Sequence, residues 1–254
     1  MRDRNQAVTS VNRRRFLDRS ARLAALGAAG TAASASGLLS QAASPQAAGK
    51  NNPPGNDDPP EDGKAALERL MAGNARHVQN KGNLAATLTE RPVLTGGQAP
   101  YAAILSCADS RVVPEFIFDA GPGSLFVIRV AGNVLTDEGL ASLEYAIEVL
   151  GTKLILILGH EGCGAVTAAI EVVEKDARLP GHLPGLAELI RPAVLEAQAN
   201  GGAGLDNAIA WNVRLERARA RAAAPIVSAA VASGRVELAG GVYSLTDGSV
   251  RLLD

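Results

Sequence analysis

The chain is poor in several residue types, and each shortage narrows what it does. It has 254 residues with only two cysteines, so a disulfide framework is impossible beyond a single bridge. Aromatic residues make up 3% of the sequence, with one Trp, three Tyr and four Phe, too few for a stacking surface that reads nucleic-acid bases. The glycine pattern of a Walker loop is missing, and Gly121-Pro122-Gly123 reads as a turn rather than a phosphate cradle. Nucleotide chemistry therefore has no support. The longest mildly apolar run, Leu23–Leu39, is Ala- and Gly-rich and too short for a membrane span.

The formal charge is −1, but it is unevenly spread. Residues 1–43 carry seven Arg and two acidic residues, and 18 basic and 24 acidic residues follow. An acidic body has no reason to bind a polyanion. Arg13-Arg14-Arg15-Phe16-Leu17 precedes the apolar run, and the small residues Ser40-Gln41-Ala42-Ala43 follow it. Basic, apolar, small is the order of an export signal, and paired Arg before x-Phe-Leu resembles the twin-arginine type. The expectation is a signal over 1–43, read by twin-arginine export machinery, and a periplasmic or extracellular protein. An uncleaved membrane anchor is the open alternative. Residues 44–63 are rich in Pro, Gly, Asn and Asp, which bury little apolar surface, and read as a disordered linker.

The body, 64–254, alternates strand and helix signals. Ala102–Ser106, Leu125–Val130 and Leu154–Leu158 are nearly continuous apolar runs, as in parallel strands covered on both faces. Val236–Leu245 and Val250–Leu253 flank Thr246-Asp247-Gly248, a hairpin turn. Amphipathic spacing predicts helices over 64–79, 138–150, 165–173, 186–198 and 207–222. The expected fold is α/β: a mainly parallel central sheet with an antiparallel C-terminal edge strand, flanked by helices. The helix over 64–79 carries a single apolar stripe and reads as an N-terminal helical arm.

Both cysteines lie at predicted strand ends, in Cys107-Ala-Asp109-Ser-Arg111 and His160-Glu-Gly-Cys163-Gly164. Ligands of open α/β sheets gather at such ends. Two thiolates and an imidazole make three ligands of a tetrahedral zinc site, with the fourth position left for water. Asp109 and Arg111 alternate with Cys107, so an extended segment would project all three to one side. A carboxylate there either accepts a hydrogen bond from metal-bound hydroxide or takes the fourth metal position itself, and a forked Arg partner favours the first. A Cys107–Cys163 disulfide or a purely structural zinc is the plainer reading of the same residues.

The two motifs, Cys-x-Asp-Ser-Arg at 107–111 and Gly-His-x-x-Cys-Gly at 159–164, resemble the signatures of the β-class carbonic anhydrases. Val113-Pro114-Glu115, Leu125–Arg129, Ala131-Gly132-Asn133 and Leu143-Glu144-Tyr145-Ala146 agree with that family. The resemblance runs from about residue 62 to the C-terminus. It implies reversible hydration of carbon dioxide to bicarbonate, with one zinc per chain on Cys107, His160 and Cys163. It makes Asp109 and Arg111 the catalytic dyad and Gln98 and the Gly164 N–H the substrate donors. Phe126, Ala131 and Tyr145 would line the apolar pocket, partly from a partner subunit. It implies a homodimer or larger even-numbered assembly, with the helix over 64–79 as an arm lying over the neighbouring copy; the low aromatic content and acidic body already argue against a nucleic-acid partner. Allosterically gated members carry a Trp where this chain has Ile104, which places it with the ungated ones. Two alternatives stay open: a hydrolase of carbonyl sulfide or carbon disulfide on the same scaffold, or a non-catalytic zinc-binding protein.

Overall fold

The computed structural model describes residues 59–82, 94–202 and 204–254. The signal expected over 1–43, and most of the linker expected over 44–63, lie outside the described residues.

Helix α1, Gly63–Val78, starts where the Asp62 carboxylate accepts the Ala65 N–H at 2.8 Å. Strand β1, Ala102–Ser106, is followed by the short helix α2, Pro114–Ile117, then strand β2, Leu125–Arg129. A 3-10 turn at Ala131–Asn133 leads into helix α3, Asp137–Glu148, capped by the Thr136 hydroxyl. Strand β3, Leu154–His160, is buried at all seven positions. Helices α4 (Gly164–Lys175), α5 (Leu183–Ala199), α6 (Leu205–Ala222) and α7 (Ile226–Ala232) precede the hairpin of β4 (Glu237–Tyr243) and β5 (Val250–Leu253).

The sheet order is β2-β1-β3-β4-β5, parallel throughout except for the antiparallel β4–β5 pair at one edge. This is the fold class read from the sequence. One face of the sheet packs Ile104, Leu154, Leu156 and Leu158 with Leu70 of α1, Ile117 of α2 and Phe118 just after it. The opposite face packs Ala103, Leu105, Ile155 and Ile157 under α3, α6 and α7. The strands are thus covered on both sides, which is why their sequences are continuously apolar rather than alternating.

The structure shows where the apolar stripe of the first helix packs within its own chain. Ala66 and Leu70 are fully buried in the core of their own chain. Asn74, also buried, donates to Ile117 O at 3.1 Å and Gly248 O at 2.8 Å and accepts from Val250 N at 2.9 Å. A single apolar stripe shows that a helix packs on something. Within the one chain described, it packs on the helix's own sheet and hairpin. Sequence reading also passed over α2 and α7, at four and seven residues too short to show a helical period.

The order of strands places the site. From β1 the chain moves outward to edge strand β2. From β3, the other central strand, it moves the opposite way to β4. The carboxyl ends of β1 and β3 therefore flank a topological switch point, where the outgoing loops part and leave a crevice. Ser106 is level with Leu158, so Cys107 and His160 leave the sheet side by side.

Candidate metal centre

The side chains of Cys107, His160 and Cys163 offer ligand atoms that all lie within 4.8 Å of one another, and all three residues are buried. Cys107 follows β1, His160 ends β3, and Cys163 stands just ahead of α4. Gly162, with φ of +66°, lets the 160–163 loop fold tightly enough for His160 and Cys163 to face one point.

The donor set fits a zinc ion. The Nδ1 of His160 lies 2.9 Å from Glu161 O, and a carbonyl only accepts, so Nδ1 carries the proton. The lone pair is then on Nε2, a fully buried atom with no hydrogen-bond partner. A buried imidazole nitrogen left bare and aimed at two sulfurs is the arrangement a metal satisfies.

Electrostatics prepare the sulfurs for a cation. The Cys163 thiol donates toward Cys107, which holds the Cys107 thiol down to about 4; burial opposes this, and His160 and the N–H groups of Asp109 and Gly132 assist. Those two N–H groups reach Cys107 Sγ at 3.4 and 3.2 Å. Cys163 moves the other way, pushed up by its hydrogen bond to Cys107 and by burial, despite the N–H groups of Ala165 and Val166 in the first turn of α4. Without a metal, the pair carries one negative charge, centred on Cys107. Burial is the largest influence on His160 and disfavours its imidazolium, but Cys107, the Glu161 carbonyl and Asp109 together outweigh it, and the pKa rises.

Asp109 and Arg111 form a closed unit beside this cluster. Arg111 Nε meets Oδ1 at 2.9 Å, Nη2 meets Oδ2 at 2.7 Å, and the Arg111 N–H meets Oδ1 at 3.0 Å. The Asp109 carboxyl is held far below the usual carboxylate range, chiefly by the Arg111 side chain. Its Oδ2 stands 4.0 Å from His160 Nε2. The route to this geometry differs from the extended alternation expected. Val112 N donates to Asp109 O at 3.0 Å, so residues 109–112 form a turn, and that turn brings Arg111 back onto Asp109.

The remaining expected residues divide. Gly164 opens α4 with open space where a Cβ would stand, and Ala131 immediately precedes Gly132, whose N–H touches Cys107 Sγ. Gln98 is exposed, and among the described residues no hydrogen bond joins it to the cluster. Phe126 and Tyr145 pair with each other at 6.1 Å between ring centroids. Phe126 packs with the core under α3, apart from the residues that enclose Cys107 and Cys163, and Tyr145 is 46% exposed. Within one chain these two rings do not line the metal cluster.

Four residues that the sequence reading passed over hold the site in place. Arg129, at the end of β2, donates Nε to Cys107 O at 3.1 Å and Nη2 to Asp109 O. On α6, Asn212 donates to Gly132 O at 2.8 Å and Glu216 accepts from Leu135 N at 3.0 Å, one helical turn apart. Together they hold the 131–135 segment that aims Gly132 N–H at the sulfur. Glu161 grips the β4–β5 turn. The partners lie 20 to 85 residues away in sequence, so no local pattern announces them.

The family described as Carbonic anhydrase has a sequence profile that matches residues 102–250. Carbonic anhydrase 2 of Mycobacterium tuberculosis is 38% identical over 192 residues, covering 75% of this chain and 89% of that protein. Among solved structures, a Coccomyxa β-carbonic anhydrase in complex with acetazolamide is 30% identical with a TM-score of 0.57, covering 74% of this chain and 86% of that one. The β-carbonic anhydrase CcaA is 26% identical with a TM-score of 0.58, covering 74% and 95%.

Proposed function

The chain belongs to the β-class carbonic anhydrases, zinc enzymes of reversible carbon dioxide hydration, and we propose that it works with an open site in which Asp109 orients the attacking water. Cys107, His160 and Cys163 would hold the zinc ion, whose chemistry is to acidify water into a nucleophile near neutral pH. The observation that carries the open-site reading is the fork of Arg111 on Asp109. It engages both carboxylate oxygens and keeps the group ionised, so Asp109 accepts a hydrogen bond from water and does not supply a proton. Water held through one of its hydrogens presents its lone pair to carbon dioxide in a fixed direction.

Gly164 N–H, at the start of α4, is the donor suited to a developing substrate oxyanion, because first-turn N–H groups have no partner within their helix. Gln98 is the second proposed donor, and its exposure leaves its amide free to face solvent and substrate. The matches named above are carbonic anhydrases throughout, which does not favour the carbonyl sulfide or carbon disulfide alternative.

We infer also that the protein is exported and assembles in even-numbered copies. The arginine-led order of residues 13–43 supports export. Among the described residues, no helix is long and apolar enough to cross a membrane. Exposed Tyr145 beside Phe126, near edge strand β2, supports assembly, with the pair completing the pocket of a partner copy.

Stopped-flow hydration of carbon dioxide from pH 6.5 to 9, with zinc assayed on the same sample, tests the reading. The expected result is fast turnover at one zinc per chain, rising toward alkaline pH because two thiolates leave the metal less acidifying than three imidazoles would. A structure near pH 8 with Asp109 bonded to the metal would defeat the open site.

A further inference from the structure

We propose that Glu161 is a positioning residue for the metal site: its carboxylate ties the 160–163 loop to the β4–β5 turn and so fixes the carbonyl that orients His160. The proposal rests on the carbonic anhydrase reading in taking a metal as the occupant of the cluster.

All three polar groups of Glu161 are engaged. Its carboxylate accepts from Leu245 N at 3.0 Å, Thr246 N at 3.2 Å, the Thr246 hydroxyl at 3.0 Å and the Ser244 hydroxyl at 3.3 Å. Its N–H donates to Tyr243 O at 2.8 Å. Its carbonyl accepts Nδ1–H of His160 at 2.9 Å, the bond that leaves Nε2 bare. The residue therefore stands between a turn and a ligand, and holds both.

The turn is a fixed anchor. Ser244 N donates to Ser249 O at 2.8 Å, Gly248 N donates to Ser244 O at 3.0 Å, and buried Asn74 of α1 grips Gly248 O and Val250 N. On its other side Glu161 is followed by Gly162 in the left-handed region, exposed and with open space where a Cβ would stand. Glycine there imposes little on the preceding peptide plane. Without the carboxylate, the N–H bond to Tyr243 is the one tie on Glu161 apart from the carbonyl's bond to Nδ1, and the carbonyl turns away from Nδ1 more readily. The group that sets a ligand histidine's tautomer and ring orientation governs metal affinity.

The test is zinc affinity of the full chain, measured by competition with a chromophoric chelator. Alongside it run thermal unfolding of the zinc-free protein and the absorption spectrum of the Co2+-substituted form, which reports ligand geometry. Glu161→Ala is expected to weaken zinc binding about 10- to 100-fold and to alter the cobalt spectrum. Glu161→Gln, which keeps one acceptor oxygen, should fall between it and the wild type. If Glu161→Ala binds zinc within about twofold of wild type, the proposal is overturned, whatever happens to its unfolding temperature. If that variant does not fold, Thr246→Val removes one donor with little change of shape, and unchanged zinc affinity there overturns the proposal equally. A wild-type chain that binds no zinc defeats the carbonic anhydrase reading and this proposal with it, whereas a zinc-binding wild type with unaffected variants defeats this proposal alone.

Discussion

Arg111 closes on Asp109 through two parallel bonds of 2.9 and 2.7 Å, and the carboxylate so held stops 4.0 Å from His160 Nε2. The pair therefore sets the direction of a carboxylate oxygen toward the metal cluster while keeping it occupied. Lysine in place of Arg111 retains the charge and loses the fork. Arg111→Lys should lower carbon dioxide turnover on the order of ten- to a hundredfold with zinc content unchanged. Asp109→Asn should cost more, on the order of 10²- to 10⁴-fold, because the amide presents a donor where an acceptor is needed. Steady-state rates and zinc content of the purified variants check both. A full-rate Arg111→Lys enzyme would show that the fork does not act in turnover.

In the zinc-free protein the two thiols should behave unlike each other. Cys163 donates to Cys107 and holds it down to about 4, while the ionisation of Cys163 is pushed up by that same bond and by burial. Cys107 is then the more readily ionised thiol of the two and Cys163 the less. An ordinary thiol, with a pKa of about 8.5, gains reactivity about tenfold per pH unit below that pKa. Iodoacetamide should instead react first at Cys107, giving one adduct per chain, at a rate that rises less steeply with pH than that. Mass spectrometry locates the adduct, and double labelling or a tenfold rise per pH unit contradicts the shared charge.

Val213 of α6 fits a notch made by two glycines of adjacent strands. A Cβ on Gly159 would stand 2.7 Å from Val213 Cγ2, and one on Gly240 would stand 2.8 Å from Val213 Cγ1. Gly159 precedes the metal-facing His160, so the notch also sets how closely α6 approaches the site. Gly159→Ala should destabilise by about 1–3 kcal/mol through overpacking. Adding Val213→Ala should recover part of that loss, giving a favourable coupling of about 0.5–3 kcal/mol in a double-mutant cycle. Urea unfolding of the four proteins measures it, and strict additivity would show that the contact relaxes elsewhere.

The parts of this molecule that were legible in the sequence were those written locally. Strands β1 and β3 are unbroken apolar runs because both faces are covered, and the two cysteines announce the site because each directly follows or nearly follows such a run. The packing of α1 was not legible, since Ala66 and Leu70 look the same on an arm as on a core helix. The supports of the site were not legible either. Arg129, Asn212 and Glu216 act through backbone groups of distant loops, and a backbone group carries no sequence signature. Phe126 and Tyr145 illustrate the limit in the other direction: their motifs are plain, yet within one chain the rings meet each other and not the cluster.

Glu216 gives the pH dependence of stability a definite sign. It is buried on α6, its carboxylate accepts Leu135 N at 3.0 Å, and burial raises its pKa above the ordinary value, with that N–H and Arg219 opposing. A carboxyl whose folded pKa lies above its unfolded one binds protons more readily in the folded state. Its protonated form is favoured by folding, and stability falls as pH rises from the unfolded value through the folded one. Above the folded pKa of Glu216 the chain therefore carries the cost of a buried carboxylate. Glu216→Gln keeps an acceptor for Leu135 N–H and removes the charge. The variant should be more stable than wild type at pH 8, and the difference should shrink toward zero as pH falls below about 4, where the native carboxyl is itself neutral. Thermal unfolding of both zinc-loaded proteins at pH 8, and of both zinc-free proteins at pH 8 and 4, separates this effect from metal release. A variant less stable than wild type by the same amount at both pH values would mean that the amide's own donor is left unsatisfied, and that the shape of the contact outweighs its charge.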